Sequence, residues 1–225
     1  MKNDFILQYR HGFIAATVFV LLFYVIILWQ IEGQMNLWVV AVVFLDLSVV
    51  GFIFVAAQVL FEKSQRTLGS LIVTPLRDRE YLLSKVITLT LLSIVLSVVM
   101  CLLLSVELNW LHFITGVTFT SILYILIGFV IISAMKSMNE FFMVTALFMT
   151  LFNVPLLSYF GLFDSWLWYI LPTHASLLLL KASWMEIASG DLIYAYAYMT
   201  VTVIALYFLA KFAFYRNIIV KQGGQ

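Results

Sequence analysis

Few residues in this chain have the types and spacing that chemistry requires. Asp46 is the one acidic residue in the middle of an apolar run, ten positions beyond Asn36, or about 15 Å down a helix at ~1.5 Å per residue. A carboxylate at that depth in a bilayer costs at least about 2.5–3.5 kcal/mol. Three readings of it compete: it lines an aqueous cavity and meets a cationic substrate, it is protonated and hydrogen-bonds a neighbouring helix, or it carries protons. Asn153, two residues before Pro155, marks a second polar and kinked place that would face the same path. His174 follows Pro172 and Thr173 at a helix start, and reads either as a structural histidine or as a ligand or proton carrier. Cys101 is the single cysteine, which excludes an intrachain disulfide framework and any multi-cysteine metal site. Tyr194, Tyr196 and Tyr198 are spaced by two, so they are not expected to share one helical face. No phosphate loop of the Gly-x-x-x-x-Gly-Lys-Ser/Thr kind, no His-Glu-x-x-His and no Gly-x-Ser-x-Gly is present. The chain therefore carries no ATPase motif, and neither catalytic residues nor a metal of its own are expected.

Charge concentrates in one stretch, from Glu62 to Leu82. Leu68, Leu71 and Ile72 recur at i, i+3 and i+4, which predicts a short amphipathic helix. Pro75 should end it, and Asp78 is placed to start a new helix. An apolar stripe at a membrane surface either lies on lipid or docks a cytoplasmic partner; the residues alone leave both open. A second irregular stretch runs from about Phe160 to Asp191. It is too apolar for a free loop and its pieces are too short to cross, which predicts a re-entrant or interfacial helical pair broken at Pro172, with Thr173 as a cap.

The elements that must position these residues follow from composition. Of 225 residues, 64% are hydrophobic and 10% charged, against roughly 45–50% apolar and about 25% charged in soluble domains. Most of the chain's solvent must be lipid. A net charge of +1 gives no footprint for nucleic acid. Six stretches are long enough for about 20 apolar residues across the hydrocarbon core: residues 12–31, 36–61, 83–105, 111–134, 141–159 and 192–212. The expected fold is all-α and polytopic, one transmembrane domain over residues 1–225 with no nucleotide-binding domain. Gly51, Gly116 and Gly128 allow close helix approach, without a clean Gly-x-x-x-Gly pair.

Eleven of the twelve Lys and Arg residues fall in alternate extramembrane segments, with Lys181 the exception. The positive-inside rule then puts both termini in the cytoplasm and makes this a multi-pass protein of the cell (inner) membrane. Trp29, Trp38, Trp110, Trp166, Trp168 and Trp184 all fall on the opposite, outer side, as an interfacial belt would.

The charged elbow carries a resemblance. Glu62, then Arg66-Thr67-Leu68-Gly69-Ser70-Leu71, Thr74-Pro75-Leu76 and Glu80-Tyr81-Leu82-Leu83-Ser84-Lys85 resemble the type-2 ABC exporter permease family, whose members carry an acidic residue, a Thr-Leu-Glu phrase, a Thr/Ser-Pro turn and a Glu-Tyr/Phe-Leu-x-x-Lys start to the third span. Gly69 departs from this pattern where many members have glutamate. Leu171-Pro172-Thr173-His174-Ala175 is similar to the family's phrase before its last span. Among its branches the chain looks most like small permeases described as fluoroquinolone exporters.

The resemblance implies that the elbow is a coupling helix, with Glu62, Arg66, Thr67, Leu68, Leu71, Thr74, Pro75, Leu76, Glu80 and Tyr81 meeting an ATP-binding cassette subunit. It implies a second permease chain, identical or paralogous, with ATP and magnesium held on the partner subunits and no cofactor on this one. Asp46 and Asn153, read from the residues themselves, are the candidates for the substrate path, and the resemblance makes Pro172, Thr173 and His174 the outer gate. The implied function is ATP-driven export of hydrophobic or amphipathic small molecules, fluoroquinolone-like drugs included. The alternatives are a membrane docking or assembly protein that transports nothing, and a proton-coupled secondary carrier. Such carriers show paired broken spans, whereas here one outer hairpin is broken.

Overall fold

A computed structural model describes residues 12–31, 33–64, 78–135, 137–163 and 165–219. Every regular element among them is helical. Backbone amides in lipid have no water to bond, so a helix, which satisfies them internally, is what runs of this apolarity form.

Helix α1 spans Phe13–Trp29. The next crossing is built of α2 (Met35–Val49), a π-helical turn (Val50–Phe54) and α3 (Val55–Ser64). Then come α4 (Asp78–Leu103) and α5 (Trp110–Ala134), followed by α6 (Met138–Asn153) and the single turn α7 (Leu156–Tyr159). A 3-10 turn (Trp166–Ile170) precedes α8 (Pro172–Lys181), and α9 (Ser189–Phe214) ends in a π-helical turn, Tyr215–Ile219.

Among the described residues five helical stretches are long and apolar enough to cross a membrane: Met35–Lys63, Arg79–Leu103, Trp110–Ala134, Asn139–Tyr159 and Ser189–Asn217. They correspond to five of the six expected spans. The first expected span, residues 12–31, is an apolar helix of 17 residues, about 25 Å long and so shorter than the ~30 Å core. Several boundaries move outward. Helix α4 begins at Asp78, ahead of the expected residue 83, because Arg79, Glu80 and Tyr81 continue the same helix. Helix α9 likewise begins at Ser189. Hydropathy marks where a helix meets lipid, and these helices run on past that level.

Local signals fix several starts. The Ser137 hydroxyl accepts from the Glu140 backbone N–H at 3.3 Å, the first half of a Ser-x-x-Glu capping box. Asn109 Oδ1 accepts from the N–H groups of Leu111 and His112 at the start of α5.

Helix α5 is the centre of the bundle. It packs against α2, the π-helical turn, α3, α4, α6, α8 and α9. Two glycines make its closest crossing. A Cβ placed on Gly51 would lie 2.5 Å from Tyr124 Cβ, and one on Gly128 would lie 3.1 Å from the Gly51 carbonyl oxygen. Small residues of this kind let transmembrane backbones meet. Between α4 and α5 the contact is polar: Ser121 Oγ sits 3.2 Å from Ser93 Oγ, with both side chains buried.

Contacts between helix ends sort the molecule into two poles. Lys63 reaches the last carbonyls of α5, and Tyr81 stacks on Phe214. This pole we call the basic end. At the other, Tyr159 bonds the Leu37 carbonyl and the Asn109 N–H bonds the Ser183 carbonyl. Trp38, Trp110, Trp166, Trp168 and Trp184 stand there, and this we call the tryptophan end.

Candidate functional site

The basic end holds the root of the elbow. Arg66, Thr67, Leu68, Leu71, Thr74, Pro75 and Leu76, with the expected amphipathic helix, lie outside the described residues. The two helices that carry the elbow are described, and they are fastened to each other. Lys85 Nζ lies 2.5 Å from Glu62 Oε1, and the Tyr81 hydroxyl donates to Glu62 Oε2 at 2.5 Å. Lys85 is 0% exposed and Glu62 9%. The Lys85 ammonium also lies 5.2 Å from the centre of the Tyr81 ring. Tyr81 in turn stacks on Phe214 of α9, with ring centres 5.0 Å apart, and meets Phe129 of α5. Next to Glu62, Lys63 donates to the carbonyls of Ile132 and Met135 at 3.4 and 3.1 Å. A cation there satisfies carbonyls that the helix end leaves open.

The arrangement is a clamp. An isolated buried charge is very costly, so each member requires the others. Glu62 and Tyr81 turn inward to each other, while Glu80 is exposed. Of the described elbow residues, Glu80 is therefore presented outward, and Glu62 and Tyr81 set the geometry. Lys85 and Lys63 are members that motif reading passed over as site residues. Lys85 stands four positions after Tyr81, one helical turn on, and that spacing was the available signal.

Asp46 is half-buried on α2 and lies within electrostatic reach of Tyr24 on α1. Its backbone carbonyl, with that of Leu47, accepts from the N–H of Val50, where α-helix gives way to the π-helical turn. Such turns are rare and cluster at functional positions. Asn153 turns back to its own helix, its amide donating to the Met149 carbonyl at 2.7 Å. Its side-chain oxygen is buried with no hydrogen-bond partner among the described residues. No hydrogen bond joins Asp46 to Asn153 among the described residues.

The outer hairpin has unequal halves. Its 3-10 turn is exposed, Trp166 by 74%, whereas α8 is buried among α2, α5 and α9. The chain does break at Pro172, which takes the first position of α8 after Leu171. Thr173 is not the cap. It is 0% exposed inside the first turn of α8, with its hydroxyl unmatched among the described residues. His174 lies beside it, its ring 4.9 Å from that of Tyr169.

Tyrosines of α9 tie the hairpin down. Tyr194 donates to the Tyr169 carbonyl, and Tyr198 to the Ile170 carbonyl at 2.6 Å. These two stack with centres 5.4 Å apart. They do share a face, because they are four residues apart although each is two from Tyr196. Tyr196 faces α5 instead, with its hydroxyl 2.9 Å from Thr115 Oγ1 and 3.1 Å from His112 Nδ1. Around the hairpin lies a cavity of about 580 Å³ whose walls include Ser158, Trp166, Tyr169, His174, Lys181 and Asp191.

A profile of the fluoroquinolones export permease protein family matches residues 1–222. The chain is 28% identical, over 99% of its own length and 96% of theirs, to fluoroquinolones export permease proteins of two Mycobacterium tuberculosis strains, CDC 1551 / Oshkosh and ATCC 25618 / H37Rv. No solved structure matches it.

Proposed function

The chain belongs to the fluoroquinolones export permease protein family, and from that premise we propose that it is the permease subunit of an ATP-driven exporter for amphipathic drugs of the fluoroquinolone kind. The observation that carries the proposal is the family match over residues 1–222, on a chain with five helices able to cross a membrane. In the proposed arrangement residues 12–31 supply a sixth span, the basic end faces the cytoplasm and the tryptophan end faces outward. Two permease chains, identical or paralogous, stand over two ATP-binding subunits that hold ATP and magnesium.

The clamp gives this proposal a mechanical form. The elbow leaves α3 just after Glu62 and returns at the start of α4. Glu62, Lys85 and Tyr81 hold those two points together, and Tyr81 joins them to α9 and α5 through Phe214 and Phe129. A push on the elbow by a closing ATPase pair then moves α3 and α4 as one body instead of bending the elbow locally. The Gly51–Gly128 crossing passes that movement to the centre of the bundle. Asp46, one turn before the π-helical turn, meets the cationic group of a substrate, and the outer hairpin forms the gate.

The test is transport in inverted vesicles from cells that express the chain with an ATP-binding subunit. ATP-dependent accumulation of a fluorescent fluoroquinolone is the expected result. Accumulation driven by a proton gradient without ATP would identify a secondary carrier instead. No accumulation under either condition would favour a docking protein. Asp46→Asn is expected to lower accumulation of zwitterionic drugs at matched expression, and unchanged accumulation would remove Asp46 from the path.

A further inference from the structure

Two cavities at the tryptophan end differ in their charged groups. One, of about 680 Å³, is walled by Glu107, Asn109, His112 and Glu186, with no Lys or Arg among the described residues. The other, of about 580 Å³, lies under the outer hairpin and has both Lys181 and Asp191 in its wall beside Trp166, Tyr169 and His174. Its size is that of a small-molecule site, for which roughly 300–1,000 Å³ is usual. Among the described Lys and Arg residues Lys181 is the one at the tryptophan end, so its charge runs against the bias expected from the sequence.

We propose that this second cavity binds a flat aromatic carboxylate, zwitterions included, with Lys181 on the carboxylate and the rings of Trp166 and Tyr169 against the aromatic face. As a release-side station for an exported drug it rests on the function proposed above; as a binding site it stands on the cavity itself. Tyr169 is held for the task. Its hydroxyl donates to Asp191 Oδ1 at 3.1 Å, and its ring meets those of Tyr194 and His174 at 5.2 and 4.9 Å. A fixed ring offers contact area with little loss of rotamer freedom on binding. Trp166, mostly exposed, lines the same cavity. Asp191, in the wall of the same cavity, suits the amine of a zwitterion. The acidic cavity, walled by Glu107 and Glu186, repels a carboxylate, which leaves it to the second cavity.

The experiment measures binding to the full chain in nanodiscs by equilibrium dialysis, with empty nanodiscs subtracted for lipid uptake. The probes are 1-naphthoate and its neutral methyl ester. The acid is expected to bind more tightly than the ester. Lys181→Met is expected to weaken the acid about tenfold, the size of a lost charge-assisted bond, and to leave the ester unchanged. Lys181→Arg should retain the acid. Unchanged ester binding shows that the variant has kept its fold. Equal affinity of acid and ester for the native chain, or native affinity of the acid for Lys181→Met, would overturn the proposal. Binding is read without ATP or a partner subunit, so a failure of vesicle transport leaves this result standing, and a failure here leaves the transport result standing.

Discussion

The two ends of this molecule are held by different forces. At the basic end a carboxylate, an ammonium and a phenol are buried together, and Lys85 is shut off from solvent altogether. At the tryptophan end two phenols of α9 hold backbone carbonyls of an exposed turn that lies over a cavity. Charge pairs buried in low dielectric fail steeply when one member is lost. Neutral hydrogen bonds at a wet surface contribute about 0.5–1.5 kcal/mol each and can be exchanged for water. The contrast fits a machine that transmits force at one end and opens at the other. Local opening draws on regions held by few buried contacts, and the exposed turn is such a region.

Breaking the clamp should give the largest effect. Lys85→Met leaves Glu62 buried without its cation, and is expected to cost about 3–5 kcal/mol, seen as a lower thermal midpoint in detergent or nanodiscs. The double variant Glu62→Met with Lys85→Met should recover part of that stability, because an apolar pair of similar volume replaces the ions although the Tyr81 hydroxyl loses its bond to Glu62. It should nevertheless stay poor in drug-stimulated ATP hydrolysis when assembled with its partner. Equal loss in the single and double variants would remove the charge pair from the account.

The crossing at the centre comes next. Gly51→Ala drives a methyl to 2.5 Å from Tyr124 Cβ, and overpacking of this kind costs about 1–3 kcal/mol. Gly116→Ala should cost less, since the nearest atom, 3.0 Å away, is a terminal methyl of Leu180, which can shift. A thermal shift in the reverse order would count against the crossing. The smallest effect is expected at the outer turn. Tyr198→Phe removes one neutral bond, worth about 1 kcal/mol. Faster amide exchange should appear at residues 166–171 with the global midpoint almost unmoved.

The division between what could be read in advance and what could not follows the same two ends. The apolar runs announced six crossing helices, of which five are long enough to cross among the described residues, and the outer break at Pro172 was marked by the proline itself. The capping role assigned to Thr173 fell because proline at the first helical position hands the cap to Leu171 and leaves Thr173 inside the turn. The π-helical turn at Val50–Phe54 left no trace in composition, since a wholly apolar stretch has no periodicity to interrupt. The clamp was hidden for another reason. Glu62, Tyr81 and Lys85 look like surface polar residues in a charged stretch, and only the packing of α9 against α4, with Phe214 over Tyr81, shows that they are interior. The pairing of Tyr194 with Tyr198 was open to a count of four rather than two.

The central claim is that the elbow is gripped by an ATP-binding subunit, and crosslinking tests it most directly. A photoreactive residue is placed at position 71 in the assembled complex, and products are separated after irradiation with and without ATP. The account predicts a covalent product with the ATP-binding subunit whose yield changes when ATP is added. Labelling of lipid alone in a complex that is transporting drug would contradict it.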